Sequence, residues 1–164
     1  MTLPFLTLLI ALSAASRPPV ATPAPKAPAP KADAPIYDPI SDGRRQIEAG
    51  ARVAAASGKR LLLDFGVNDC EPCRVVNRAL HAKLFLDAFV NEFVLVFIDV
   101  SPGGKNASLP ASYGIDRGKG LPAVVIFDDT MKPGETTKQG ELVEVAKKGE
   151  SAVQEWFLAR FSRP

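Results

Sequence analysis

Arg60-Leu61-Leu62-Leu63-Asp64-Phe65-Gly66-Val67-Asn68-Asp69-Cys70-Glu71-Pro72-Cys73-Arg74-Val75-Val76-Asn77-Arg78-Ala79-Leu80 decides the fold. Its first seven residues are a short apolar run with one acid, the pattern of a buried strand. From Glu71 to Leu80 apolar residues return at helical spacing, so the spacing predicts a helix there. Between them stand both cysteines of the chain, Cys70 and Cys73. Two cysteines two residues apart at a helix start can close a small disulfide ring and pass two electrons to another protein's thiols. Strand, loop and CxxC at a helix start is the setting that separates a redox motif from a chance spacing.

Around this stretch the chain alternates apolar strands with amphipathic helices. Ser41 or Asp42 caps a helix through Ser57, with Ile47, Ala51 and Ala54 on one face and Gly58 as the stop. Leu84–Glu92 is a further amphipathic stretch carrying Phe85, Ala88 and Phe89. Phe93–Val100 suits a central parallel strand covered on both faces. A short helix is expected near Ser108–Tyr113, and Ala123–Phe127 is a third strand. Asp128-Asp129 and Lys132-Pro133-Gly134 mark a hairpin turn to a weaker strand near 135–139. A last helix from Ser151 to Arg163 buries Val153, Trp156, Phe157 and Phe161. The expected class is α/β: a central mixed sheet with parallel core strands and an antiparallel edge hairpin, flanked by helices.

The N-terminal part has a different character. Leu3–Ala15 is apolar and ends in Ser13-Ala14-Ala15, small residues suited to signal-peptidase cleavage. Residues 1–16 are therefore expected to be a signal peptide or an uncleaved N-terminal anchor. Eight of the 15 prolines fall in residues 17–39, which read as a stiff, extended spacer before a domain at 40–164. Three of the 20 basic residues and one of the 18 acids lie in residues 1–36, leaving 17 of each beyond. A domain so balanced offers no nucleic-acid surface. Two cysteines and the single histidine, His81, cannot complete a four-ligand zinc site, and Arg74 after Cys73 rules out a haem-attachment signature. His81 reads as a surface or capping residue.

The order of elements, with CxxC after the first long strand, resembles the thioredoxin family over most of residues 58–163. Asp64-Phe65 lies six residues before Cys70, where that family places a buried acid. Ile98-Asp99 ends the next strand, and Tyr113-Gly114-Ile115 is followed by Gly120-Leu121-Pro122 and a strand, like the family's cis-proline segment. Leu63-Asp64-Phe65-Gly66, Cys-x-x-Cys-Arg and Gln139-Gly140-Glu141-Leu142 are similar to an exported bacterial subgroup. The sequence departs from the pattern at Asp69, where an aromatic residue is usual, and at Leu95, where a lysine often neighbours the acid. The loop from Ile115 to Pro122 is also longer and carries Asp116, Arg117 and Lys119.

The resemblance implies a thioredoxin-like fold and exchange of disulfides with protein thiols, without a bound cofactor or metal. Cys70 is the expected nucleophile, since a helix N-terminus favours a thiolate, and Cys73 the resolving thiol. Asp64 would take the proton from Cys73 through water. The Leu121 backbone beside a cis Pro122 would pair with a substrate peptide. Asp69, Glu71, Pro72 and Arg74 would tune the pair, the two acids opposing the thiolate and leaning it towards a reductase. Other readings stay open: a disulfide oxidase or isomerase, or a non-catalytic binding module with a structural disulfide, a structural acid at Asp64 and an ordinary trans proline at Pro122. Expected partners are protein disulfides and an upstream, membrane-bound dithiol donor, with the chain a monomer. The expected location is periplasmic or secreted, with a tether where the N-terminal segment is not cleaved.

Overall fold

The computed structural model describes residues 35–160. Helix α1, Gly43–Ser57, leads into β1, Arg60–Gly66. Helices α2, Glu71–His81, and α3, Lys83–Glu92, carry the chain to β2, Phe93–Asp99. Two 3-10 turns, Leu109–Tyr113 and Arg117–Lys119, precede β3, Ala123–Phe127, and β4, Pro133–Thr136. Helices α4, Glu141–Ala146, and α5, Glu150–Leu158, complete it. The sheet order is β2-β1-β3-β4, with β1 parallel to β2 and antiparallel to β3.

Strand β1 sits inside the sheet and is buried at all seven positions. Because successive side chains point to opposite faces, β1 contributes to two cores. Leu62 packs with Val76, Ala79 and Leu80 of α2, Phe85 and Phe89 of α3, Leu142 of α4, and Val153 and Phe157 of α5. Leu61, Leu63 and Phe65 face the other way, with Ala54 of α1, Leu109 and Ile115. Each such side chain removed from water contributes about 1.5–3 kcal/mol, so the two cores hold the layers together. Helix α1 begins where Asp42 accepts from the Arg44 and Arg45 amides and ends at Gly58 in the left-handed conformation.

Several expectations are corrected. Strand β2 lies at the sheet edge, not its centre. It is apolar on both faces because helices cover both: Leu95 packs on the α2 side, Val94 and Val96 on the α1 side. Antiparallel pairing is not confined to the final hairpin, since β3 already runs against β1. Ala88 is exposed, because Phe85 and Phe89 set the buried stripe of α3 and Ala88 lies off it. Of the residues expected in the hairpin turn, Asp128-Asp129 form it and Pro133-Gly134 belong instead to β4. Asp128 Oδ1 holds the turn by accepting from the Thr130 and Lys132 amides at 2.8 and 3.0 Å. The stretch near 108–113 is a 3-10 turn, and α5 ends at Leu158, with Trp156 half-buried.

The spacer expected to run to Pro39 also ends sooner. Ile36 is half-buried and Tyr37 is fully buried. The proposed signal or anchor at 1–16, most of the spacer, and Phe161 and Arg163 lie outside the described residues. Among the described residues no helix is long and apolar enough to cross a membrane.

Candidate active site

Helix α2 starts at the cysteine pair because Cys70 is its N-cap and Pro72 occupies the first turn, where a missing N–H costs nothing. Cys70 and Cys73 form a disulfide with Cα atoms 5.2 Å apart. Cys70 is half-exposed, and the backbone N–H of Cys73 points at its Sγ at 3.2 Å. Cys73 has no exposed surface. An incoming thiol therefore meets Cys70 first, and the helix start aims a donor at the sulfur that would carry negative charge.

Opposite Cys70 stands the loop before β3. The Leu121–Pro122 peptide bond is cis, Pro122 is buried and Leu121 half-exposed. The Leu121 carbonyl oxygen lies 3.4 Å from Cys70 Sγ. Of the two expected substrate-facing residues, Leu121 thus sets its carbonyl against the cysteine, and Pro122 follows it through the cis bond.

Asp64 is fully buried in β1, between Phe97 of β2 and Val124 of β3 in register. It shares a sheet face with Leu62, the face on which α2 packs, so it lies on Cys73's side of the sheet. One of its oxygens, Oδ1, accepts from the Tyr37 hydroxyl at 3.3 Å. Its Oδ2 has no hydrogen-bond partner among the described residues. Burial pushes the carboxyl up to about 7, and the Tyr37 hydrogen bond offsets part of that. Tyr37 itself titrates well above an ordinary tyrosine, chiefly from burial and then from the Asp64 charge. Leu95 is half-buried on the same face, so the position where a lysine was awaited supplies packing.

The four expected tuning residues separate. Asp69 and Glu71 are exposed, and Glu71 Oε1 lies 3.4 Å from Arg78, which also binds Glu150 at 2.8 Å. Exposed pairs of this kind are worth about 0–1 kcal/mol. Arg74 folds back and donates to the Asn68 carbonyl at 2.8 Å, bracing the loop before Cys70. His81 is half-buried at the α2 end, bonded at 2.7 Å to the Asn77 carbonyl and stacked on Phe97. Among the described residues no group of three or more His, Cys, Asp or Glu could hold a metal ion.

Two residues of the site escaped the sequence reading. Asn68 Oδ1 accepts from the amides of Ile36 and Tyr37 at 2.8 and 3.0 Å, and its Nδ2 donates to the Tyr37 carbonyl at 2.8 Å. Tyr37 then reaches over Gly66 to Asp64; a Cβ on Gly66 would collide with its ring. The available signal was Ile36-Tyr37, a large apolar pair closing a run of prolines and alanines.

Comparison with known proteins places this geometry. A family profile described as thioredoxin-like matches residues 42–129. The crystal structure of a disulphide isomerase from Xylella fastidiosa Temecula1 is similar, with a TM-score of 0.71 and 29% identity. The match covers 77% of this chain and 97% of that one. No curated protein matches the chain.

Proposed function

The chain belongs to the thioredoxin-like family, and we propose that it is an exported thiol–disulfide oxidoreductase acting on protein substrates as a reductase. The observation that carries the proposal is the asymmetry of the pair: Cys70 is reachable, faces the Leu121 carbonyl and caps a helix, while Cys73 is sealed beneath it. In the reduced protein the Cys70 thiolate attacks a substrate disulfide and displaces one substrate thiolate, which takes a proton from solvent. Cys73 gives its proton to Asp64 through water, attacks Cys70 Sγ and releases the second substrate thiolate. The substrate gains two electrons and the protein returns to its disulfide. An upstream dithiol donor, membrane-bound in this reading, then restores the pair.

Leu121 and Pro122 form the rim against which an extended substrate segment pairs. Asp69 and Glu71 place negative charge near the nucleophile, a setting that disfavours the thiolate and so makes the disulfide less oxidising. Arg74 spends its charge on the Asn68 carbonyl, which leaves that lean in place. The N-terminal segment 1–16 would export or tether the domain to the periplasmic or outer side, and 17–34 would act as the spacer.

Catalysed reduction of insulin by dithiothreitol tests the proposal. Acceleration that disappears in Cys70→Ser supports it, and a wild-type protein as inert as Cys70→Ser overturns it. A Cys73→Ala variant should accumulate mixed disulfides with its protein substrates. Equilibration in thiol buffers gives direction: a potential near or below about −230 mV fits a reductase, and one towards about −120 mV an oxidant. The similar disulphide isomerase favours a second reading, in which the same residues reshuffle disulfides; recovery of activity by scrambled ribonuclease without added reductant would select it.

A further inference from the structure

We propose that Tyr37 is a positioning residue of this redox site: its phenol, brought in ahead of α1, holds one oxygen of the Asp64 carboxyl and turns the other towards proton exchange with Cys73. The inference rests on the reductase reading above and deepens it.

The geometry is specific. Both side chains are fully buried, the hydroxyl reaches Oδ1 at 3.3 Å, and Oδ2 is the oxygen left without a partner. A buried carboxyl oxygen with no partner is costly, so its retention asks for a use. The phenol also cannot drift. Its ring fills the space that Gly66 leaves open and meets Phe97 edge-on, centroids 5.8 Å apart. Its backbone is pinned at both N–H and C=O by Asn68, in the loop that Arg74 braces. One asparagine thereby ties the entering segment to the residues just before Cys70.

Besides Arg60, four residues back along β1, three other titratable groups share this face. Asp99 closes β2 and keeps its oxygens on the Ser101 amide and hydroxyl at 3.0 and 3.1 Å. His81 closes α2 and holds the Asn77 carbonyl. Cys73 is the third, on α2 itself. Neither Asp99 nor His81 donates to Asp64, which leaves Tyr37 as its donor among the described residues. In the resolving step the Cys73 thiol proton passes to Oδ2 through water, and the sulfur electron pair forms the bond to Cys70. The bond from Cys70 to substrate breaks, and the substrate sulfur departs as a thiolate. Throughout, Oδ1 stays on the phenol, so one carboxyl rotamer serves every turnover.

The decisive comparison is Tyr37→Phe, which keeps the ring beside Gly66 and removes only the hydroxyl. Two readouts are needed: the titration midpoint of the Asp64 carboxyl carbon by NMR in the oxidised protein, and the pH profile of oxidation of the reduced protein by a glutathione disulfide. Loss of a donor to the charged form should raise the midpoint by about 1 pH unit, a modest shift because the 3.3 Å bond is long. The inflection of the rate profile should rise with it. In Asp64→Asn the inflection that follows the carboxyl should vanish, leaving that of the attacking thiol, and adding Tyr37→Phe to that variant should change nothing more. An unmoved midpoint overturns the proposal. So does a rate effect of Tyr37→Phe that survives in the Asp64→Asn background, since the phenol would then act elsewhere. A wild-type protein that exchanges no disulfide at any pH, while its Asp64 midpoint still responds to Tyr37→Phe, overturns the redox reading and leaves the pair as packing.

Discussion

Asp64→Asn should make the oxidised protein more stable at pH 8 and less stable at pH 4. Asp64 is fully buried, and its carboxyl is raised from 3.8 to about 7 by burial first. The native state therefore binds the proton more tightly than the unfolded chain between these values. Stability contributed by the protonated carboxyl is present below about pH 4, fades as pH rises, and is gone above about pH 7, where folding must bury a charge. A shift of roughly three pH units corresponds to about 4 kcal/mol. Asparagine has the same shape, does not ionise, and can still accept from Tyr37. Its buried Nδ2 gains no visible partner, at a cost of about 1–3 kcal/mol at either pH. The variant should thus lose about 1–3 kcal/mol at pH 4 and gain about 1–3 kcal/mol at pH 8. Urea unfolding followed by Trp156 fluorescence at the two pH values gives both numbers, and taking variant minus wild type cancels the other titrating groups. The swing of about 4 kcal/mol is the quantity that matters, because the Nδ2 cost drops out of it. A swing below about 1 kcal/mol would refute the claim that Asp64 is a desolvated acid.

Other outcomes are equally concrete. Arg60 is 7% exposed, pairs with Glu92 at 2.9 Å, donates to the Arg160 carbonyl at 2.7 Å and lies 4.5 Å from the Phe93 ring centroid. Arg60→Met should cost about 2–4 kcal/mol in urea unfolding, and a loss below about 0.5 kcal/mol would deny the clasp a structural role. Asn68→Ala removes two acceptor bonds and one donor bond to the entering segment, so exchange protection of the Ile36 and Tyr37 amides should fall at least about tenfold, with β1 amides little changed. Gly140 has φ 76°, and a Cβ there would meet the Lys119 carbonyl, so Gly140→Ala should destabilise by at least about 1–2 kcal/mol by thermal or urea unfolding.

What the sequence disclosed was whatever local chemistry writes down. The cysteine helix shows because a cap, a first-turn proline and an apolar stripe occur in consecutive residues. The α1 boundaries show for the same reason, in Asp42 and Gly58. Lateral order in a sheet leaves no such trace. Phe93–Val100 reads as central because it is apolar on both faces, yet β2 has one neighbouring strand among the described residues. Helix α4 is only six residues long and enters from Gly140 without a side-chain cap, too short for periodicity to register. At the site, Cys70, Cys73 and Asp64 were legible from spacing and from an acid misplaced among leucines. Tyr37 and Asn68 were not, since their meaning is a contact between segments 31 residues apart, and Tyr37 sits where prolines announce a spacer.

The strict alternation of β1 makes the acid's position a matter of parity. Leu61, Leu63 and Phe65 belong to one core and Leu62 to the other, with Asp64 on the latter face. Inserting or deleting one residue between Leu62 and Asp64 would carry the carboxylate to the α1 face and put an apolar side chain in its place on the face that α2 covers. Two such changes would restore the side while moving the acid about 7 Å along the strand. The loop between Gly66 and Cys70 is fixed in another way, by Asn68 on the Tyr37 backbone and Arg74 on the Asn68 carbonyl. Natural sequences of this kind should therefore keep the count of Arg60–Gly66, and the acid its even step from Leu62.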